Sequence, residues 1–182
     1  MTITKLDVAE REIVAAVQLL FDGGDAIPIY VLANSAREIT TTLCEKRGLH
    51  SMVDWIQVDH PHMSRKDIHR EASKPAAFFK HANKDPDAVL EDFDPTEADT
   101  VLYMACADLR NLGRRLPVEG DAFDLWFMAV RGLLDQLDLP YLEGLGGIDM
   151  VPRAEQIAMG KRFLDAARAP VGHTCVGAVS YK

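Results

Sequence analysis

The strongest constraint on the fold is a helix-start signal followed by a long apolar stripe. The segment from Asp94 to Glu97 places an N-cap, a proline at the first helical position and a capping-box glutamate in order. Apolar side chains then recur at the helical period up to Gly113, at Ala98, Val101, Leu102, Ala105, Leu109 and Leu112. This pattern predicts an amphipathic helix with one face in a core.

Similar signals divide most of the chain into helices. The capping pair Thr4 and Asp7 opens a first helix, and a second one runs from Asp25 to Gly48 with a first half that is apolar nearly all round. Further helices are expected around 52–58, from 64, from 75, over 123–137 and over 152–168. Because there is no extended strand alternation and no repeat, we predict an all-α bundle of four or five long helices with additional short ones.

The chain length and the positions of proline and glycine residues indicate one domain. The 182 residues exceed a typical domain of about 150 residues only slightly. The last segment contains Pro170, Gly172 and Gly177, which disfavour a helix. We predict a single helical-bundle domain over residues 1–168 and a flexible C-terminal tail over residues 169–182.

Charge and cysteine content limit the partners and the location. The net charge of -8 disfavours nucleic acid and anionic membranes, so a contact with nucleic acid would need a local basic patch. The three cysteines are widely spaced and favour reduced thiols. Since no export signal or membrane span is recognisable either, we expect a cytoplasmic protein without membrane contact.

Charge is distributed unevenly along the middle of the chain. Residues 64–84 hold six Lys and Arg against two acids, and residues 85–99 hold seven acids and no base. One interpretation is a cationic patch for phosphate or an acidic partner, with Arg70, Lys74 and Asn34 as candidate ligand-binding residues. The other is two solvated surfaces that pair with one another.

Histidines are concentrated between His50 and His81, where five of the six lie. His60 and His62 flank a proline, and Asp85 or Glu71 is a candidate third ligand for a metal. No helical His pair completes a zinc site, so we expect neither a metal nor another cofactor. A metal-dependent hydrolase built on His60, His62 and Asp85 stays a second alternative.

A polar centre is predicted on the second helix. Arg37 and Glu38 lie on a polar stripe with Asn34 and Thr41, and Phe78-Phe79 should anchor the following Lys80 and His81 on the same core. We therefore expect the two groups to approach within one side-chain layer. They would serve either as acid/base groups on a phosphate ester or as buried polar contacts, and in the second case His81→Ala or Glu38→Ala lowers the melting temperature.

Three parts of the chain, namely Ile13 to Arg37, Phe78 to Phe93 and the helix that ends in LWFMAV, resemble uncharacterised bacterial helical proteins with an FFKHA-x-x-DP signature. The resemblance covers roughly residues 10–130. The chain also resembles the HEPN superfamily of helical bundles. That resemblance implies a homodimer and either RNA cleavage or nucleotide binding. Nucleases of the superfamily carry an Arg and a His on one helix with four to six residues between them. Arg65 and His69 are too close for this motif, and no such pair ends at His81.

These observations favour a non-catalytic helical bundle that binds a partner protein or a nucleotide-like ligand. The alternative is a metal-independent ribonuclease or phosphotransfer enzyme that uses His81 and Lys80, with Arg37 and Glu38 as orienting groups. The missing Arg-to-His pair favours binding over cleavage.

Overall fold

Seven α-helices follow one another in a computed structural model, which describes residues 2–81, 83, 86–133 and 144–169. They are α1 (Lys5–Phe21), α2 (Ala26–Lys46), α3 (Met52–Asp59), α4 (Arg65–Lys80), α5 (Glu97–Asn111), α6 (Val118–Val130) and α7 (Arg153–Arg168), with a short 3-10 turn (Ile148–Met150) before α7. The described residues contain no strand. The predicted all-α bundle is confirmed.

The central helix is α2, which packs against α1, α4 and α5. Ile29, Tyr30 and Ala33 of its apolar first half are buried, whereas Ile27 is 45% exposed. Contacts of Glu45 with His69, Arg37 with Ser73 and Tyr30 with Phe79 show that α4 runs antiparallel to α2. The apolar residues of α2 are therefore buried within the chain in part.

Local capping sets the starts of α1, α2 and α4 as predicted. Thr4 and Asp7 exchange hydrogen bonds of 2.9 and 3.1 Å, and Asp25 accepts from the Ile27 amide over 2.8 Å. The start of α5 differs slightly: Asp94 accepts from the Thr96 amide over 2.8 Å, but regular helix begins only at Glu97. The N-cap prediction thus describes the turn that leads into α5.

Pro75 does not begin a new helix, contrary to the sequence-based expectation. It lies inside α4, which continues from Arg65 to Lys80. A proline removes one helical hydrogen bond, but burial of Pro75 and Ala76 offsets that loss. The Tyr30 hydroxyl also donates to the Ala72 carbonyl over 2.9 Å and ties this turn of α4 to α2.

The helix predicted over 123–137 is shifted towards the N-terminus. It begins at Val118 and ends at Val130, because Gly132 has a φ of 66° and terminates it with a left-handed turn. Leu134, Leu137 and Pro140 lie outside the described residues. The same is true of the predicted tail beyond residue 169.

The last helix, α7, docks on α6 and α1 through a glycine. A Cβ at Gly160 would lie 2.3 Å from Phe21 Cε1 and 2.8 Å from Trp126 Cδ1. The Trp126 indole donates to the Gln156 carbonyl over 2.7 Å, which fixes the ring against α7. The close approach of α7 to Phe21 of α1 and Trp126 of α6 therefore requires glycine at residue 160.

We predict that Gly160→Ala destabilises the protein by about 1–3 kcal/mol, because the added methyl group overpacks the contact of Phe21 with Trp126. Denaturant unfolding measures this change. Gly144→Ala is the matched control, since its Cβ would meet only Phe163 at an ordinary 3.9 Å. Equal stability of the two variants would contradict this account of the α7 interface.

A buried carboxyl group of α5 holds the start of α3. Asp108 is fully buried, accepts from the Met52 amide over 2.7 Å and contacts Thr41 Oγ1 over 2.6 Å. Burial raises the pKa of Asp108, although the contacts with Thr41 and Met52 oppose the shift. The folded protein therefore holds a proton on Asp108 more tightly than the unfolded chain does.

This shift predicts a pH dependence of stability. The contribution of Asp108 to the free energy of unfolding is complete below the unfolded-state pKa of about 4. It is lost as pH rises through the higher folded-state pKa. Asp108→Asn mimics the protonated form, because its amide donates to Thr41 while its oxygen accepts from Met52. We predict that denaturant unfolding between about pH 4 and pH 7 has a smaller slope with pH for Asp108→Asn than for the wild type.

Asp108→Ala is the contrasting variant. It leaves the Met52 amide and the Thr41 hydroxyl unpaired, and each costs about 1–3 kcal/mol when buried. If Asp108→Asn is as unstable at neutral pH as Asp108→Ala, the carboxylate itself is required for stability.

The apolar interior consists of two clusters. The main one extends over α1, α2, α5, α6 and α7, and a small one holds Val53, Ile68 and Met104. Met52, Ile56 and Met63 pack partly buried against the small cluster. The small cluster therefore joins α3 and α4 to the middle of α5.

Candidate functional site

A polar cluster lies between α2 and α4 around the guanidinium of Arg37, which is fully buried. Its Nε and Nη2 atoms donate to Asn34 Oδ1 over 3.3 and 2.9 Å, and Nη2 also donates to Ser73 Oγ over 2.7 Å. Burial lowers the pKa of Arg37, but a guanidinium stays protonated in proteins. The buried charge therefore persists and needs these acceptors.

Glu38 supplies the nearest negative charge. Its Oε1 lies 3.8 Å from Arg37 Nη2 and accepts from Asn34 Nδ2 over 3.0 Å and from Ser73 Oγ over 3.4 Å. The carboxylate is half-exposed and brings the cluster to the surface. The hydrogen bonds of Arg37 to described residues all go to α2 or α4, and they fasten the two helices together.

His69 extends the cluster towards α3. Its Nδ1 lies 3.5 Å from Arg37 Nη1, and its Nε2 lies 3.2 Å from Glu45 Oε1. A guanidinium only donates, so Nδ1 is the acceptor and Nε2 carries the hydrogen. The two contacts hold the imidazole in one tautomer between a buried cation and a carboxylate.

Glu45 and Arg65 complete the connection. Arg65 Nη2 donates to Glu45 Oε1 over 2.6 Å, and the guanidinium also pairs with Asp54, which accepts from the Ser51 amide at the start of α3. Partial burial opposes ionisation of Glu45, but the hydrogen bonds from Arg65 and His69 outweigh it and lower its pKa. These groups therefore form a continuous polar link across α2, α4 and α3.

Lys80 and His81 are not part of this cluster, contrary to expectation. Both side chains are exposed, and no hydrogen bond or ion pair joins either of them to Arg37, Glu38 or any other described residue. Phe79 packs edge-to-face on Tyr30 with ring centroids 6.0 Å apart. Tyr30 precedes Arg37 by seven residues, about 10 Å along a helix, so Lys80 and His81 lie at the other half of α2.

The candidate ligand-binding residues are separated in the same way. Asn34 is buried and bound to Arg37 and Glu38, so its amide is not available to a ligand. Arg70 pairs with Asp67 and Glu71 on the outer side of α4. Lys74 is exposed. The structure therefore does not bring these three residues together into an anion site.

The two charge runs do not pair with each other in the described chain. Arg65 and Arg70 of the basic run contact acids at positions 45, 54, 67 and 71. Asp99 of the acidic run pairs with Arg153 of α7 over 2.8 Å. The basic run is thus neutralised in part by its own two acids and by acids of α2 and α3, and the acidic run is neutralised in part by α7.

The histidine pair considered for a metal is at the surface. The rings of His60 and His62 are exposed and lie edge-to-face with centroids 5.9 Å apart. Asp85 lies outside the described residues. Within the described ranges, no group of three or more His, Cys, Asp or Glu side chains is arranged to hold a metal ion.

A concave apolar surface, the α4–α5 groove, was not visible from sequence. It has a volume of about 340 Å³ and lies between α3, α4 and α5 above the small apolar cluster. Its lining is formed by Tyr30, Ile56, His60, Met63, Ile68, Glu71, Ala72, Glu97, Thr100, Val101 and Met104. Tyr30 closes the bottom of the groove, and burial raises the pKa of its hydroxyl, which stays a neutral donor to Ala72.

A second depression, the acidic trough, adjoins the groove and shares Glu71 and Glu97 with it. It has a volume of about 260 Å³. Its remaining lining residues are Lys74, Pro75, Leu90, Glu91, Asp92 and Phe93. Four carboxylates against one ammonium give the trough a formal charge of -3.

Sequence reasoning recognised Arg37 and Glu38 but missed their partners on α4. His69 and Ser73 are four residues apart and therefore share one helical face, which was a usable signal. The groove had no such signal, because its lining comes from four helices and a turn.

Comparison of the chain with known protein families, with curated proteins and with solved structures gives no match. The resemblance to the FFKHA-x-x-DP proteins and to the HEPN superfamily therefore stays a prediction. None of the helices in the described ranges has the length and apolarity needed to cross a bilayer.

We predict that substitutions in the two halves of the expected site have very unequal effects on stability. Arg37→Met removes the donor to Asn34 Oδ1 and Ser73 Oγ together with the ion pair to Glu38, and it lowers the free energy of unfolding by about 1–3 kcal/mol for each buried acceptor left unsatisfied. His81→Ala changes it by less than about 0.5 kcal/mol, because the ring is exposed. Thermal and denaturant unfolding of both variants measure the difference.

An RNA-cleavage assay on the same proteins is the control for the catalytic alternative. We expect no cleavage that depends on His81. A stable His81→Ala protein that loses a wild-type ribonuclease activity would contradict this prediction. A His81→Ala protein that is destabilised as much as Arg37→Met would contradict it too.

Proposed function

We propose that this chain is a non-catalytic helical-bundle protein that binds a partner protein, with the α4–α5 groove as the receptor for an apolar segment of that partner. The observation that carries the proposal is the groove itself. Its volume of about 340 Å³ lies within the range of about 300–1,000 Å³ common for binding pockets, and its interior is mostly apolar.

Methionines support the same interpretation. Met63 and Met104 line the groove, and Met52 packs against the cluster below it. Unbranched thioether side chains adapt to ligands of different shape and are common at surfaces that bind peptides. A groove lined in this way suits a protein segment with an apolar anchor.

A partner protein is favoured over a nucleotide-like ligand by the charge at the rim. Glu71 and Glu97 stand at the opening of the groove, and both side chains are exposed. Phosphate groups at this position would face two carboxylates, and like charges destabilise such a complex. No described part of the groove offers an arginine or lysine to offset them.

The catalytic alternatives have less support. A general acid or base must lie within hydrogen-bond reach of its partner or substrate. Lys80 and His81 are apart from Arg37 and Glu38, and the guanidinium of Arg37 is enclosed by side chains of α2 and α4. This arrangement stabilises the fold and keeps the guanidinium of Arg37 away from solvent.

The predicted homodimer and cytoplasmic location belong to the same proposal. Trp55 and Val58 of α3 are 56% and 71% exposed and give a second copy of the chain an apolar surface. Cys44 and Cys106 are buried free thiols, and burial raises the pKa of Cys44 to about 11. Unreactive free thiols are consistent with a reducing compartment.

The groove predicts that the protein binds peptides with a large apolar residue. One substitution at the rim of the groove should weaken this binding. Phage display of random peptides on the full chain should enrich sequences with a large apolar residue. Thr100→Trp fills the groove from its exposed rim and should weaken an enriched peptide at least about 10-fold, measured by fluorescence anisotropy.

Ala77→Trp is the matched control, because residue 77 is exposed on α4 and does not line the groove. We expect this variant to bind as the wild type does. The proposed function is wrong if the phage selection does not enrich peptides with a large apolar residue. It is also wrong if the Thr100→Trp protein binds an enriched peptide as tightly as the wild type does.

A further inference from the structure

We infer that the segment bound by this chain is cationic, with an apolar side chain in the α4–α5 groove and a neighbouring lysine or arginine in the acidic trough. The inference rests on the proposed function, because it names the chemistry of the same partner. It is carried by a separate observation, which is the charge of the adjoining trough.

The groove and the trough form one continuous surface. Glu71 of α4 and Glu97 of α5 line both of them and stand at the boundary. A side chain in the trough therefore lies next to a side chain in the groove. Residues three or four apart on a helix lie on one face and can occupy both at once.

The trough has more negative charge than its own base neutralises. Its acids are Glu71, Glu91, Asp92 and Glu97, against Lys74 alone. Glu71 contacts Arg70 over 3.3 Å, whereas no ion pair joins Glu91, Asp92 or Glu97 to a described residue. A partner cation would complete this arrangement by charge complementarity.

The backbone of α4 adds an acceptor at the same place. Pro75 lines the trough and has no amide hydrogen, so the carbonyl of Glu71 receives no helical hydrogen bond from it. An ammonium or guanidinium group in the trough is a suitable donor for such a carbonyl. The forked guanidinium of arginine suits several acceptors at once.

Three synthetic peptides of equal length test the inference on the full chain. The first combines leucine with lysine, the second replaces lysine by glutamate, and the third replaces leucine by serine. Fluorescence anisotropy at low and at high salt gives their affinities. We expect the wild type to bind the lysine peptide about 5-fold more tightly than the glutamate peptide at low salt, with the difference reduced at high salt.

The double variant Glu91→Gln, Asp92→Asn removes two charges of the trough and leaves the groove intact. Asparagine is suitable at residue 92, where φ is 59°, because it tolerates the left-handed region. We expect this protein to lose the preference for lysine over glutamate and to keep wild-type affinity for the leucine peptides at high salt. Asp87→Asn removes an exposed acid outside the trough and should keep the preference.

The outcomes separate the inference from the proposed function. If the double variant keeps the lysine preference, or Asp87→Asn loses it equally, the trough is not the cation site. The proposed function then stands as long as Thr100→Trp still weakens the leucine peptides. If the wild type binds the leucine and serine peptides equally, both the inference and the proposed function are wrong.

Discussion

A single buried cation determines how α4 is placed on the central helix. Transfer of a charge from water into a protein interior costs several kcal/mol unless it is paired and hydrogen-bonded. Arg37 obtains its acceptors from Asn34 of α2 and from Ser73 and His69 of α4. The charge is stabilised only when α4 lies at this register, so the electrostatics of one side chain position a whole helix. The register of α4 in turn places Ala72 and Glu71 beside α5, where the groove and the trough form.

Helix starts could be predicted because their causes are local. Thr4 with Asp7, and Ser64 with Asp67, bond across three residues, and such pairs are visible in the sequence. The break expected at Pro75 was wrong because the contacts that hold α4 together there are not local. The hydroxyl of Tyr30 reaches Ala72 across 42 positions, and no local rule includes that distance.

The candidate site could be predicted only in part for the same reason. Periodicity placed Arg37 and Glu38 together on one helix, and the structure confirms that they are neighbours, with 3.8 Å between charged atoms. Which residues of α4 meet them depends on the register between two helices, and Phe79 docks on Tyr30 at a different level. A groove lined by residues from Tyr30 to Met104 depends on the whole packing arrangement and has no local signature.

Division of the apolar interior into two clusters gives the molecule regions of unequal local stability. The eight-residue α3 is held by the small cluster, by Asp108 at its start and by Arg65 through Asp54. Opening this region exposes far less apolar surface than opening the main cluster. The amide hydrogens of α3 therefore exchange with solvent through a partial unfolding event, which has a lower free energy than global unfolding. The wall of the groove formed by Ile56 and Met63 belongs to this region. Hydrogen-exchange rates of α3 would thus report on the groove independently of global unfolding.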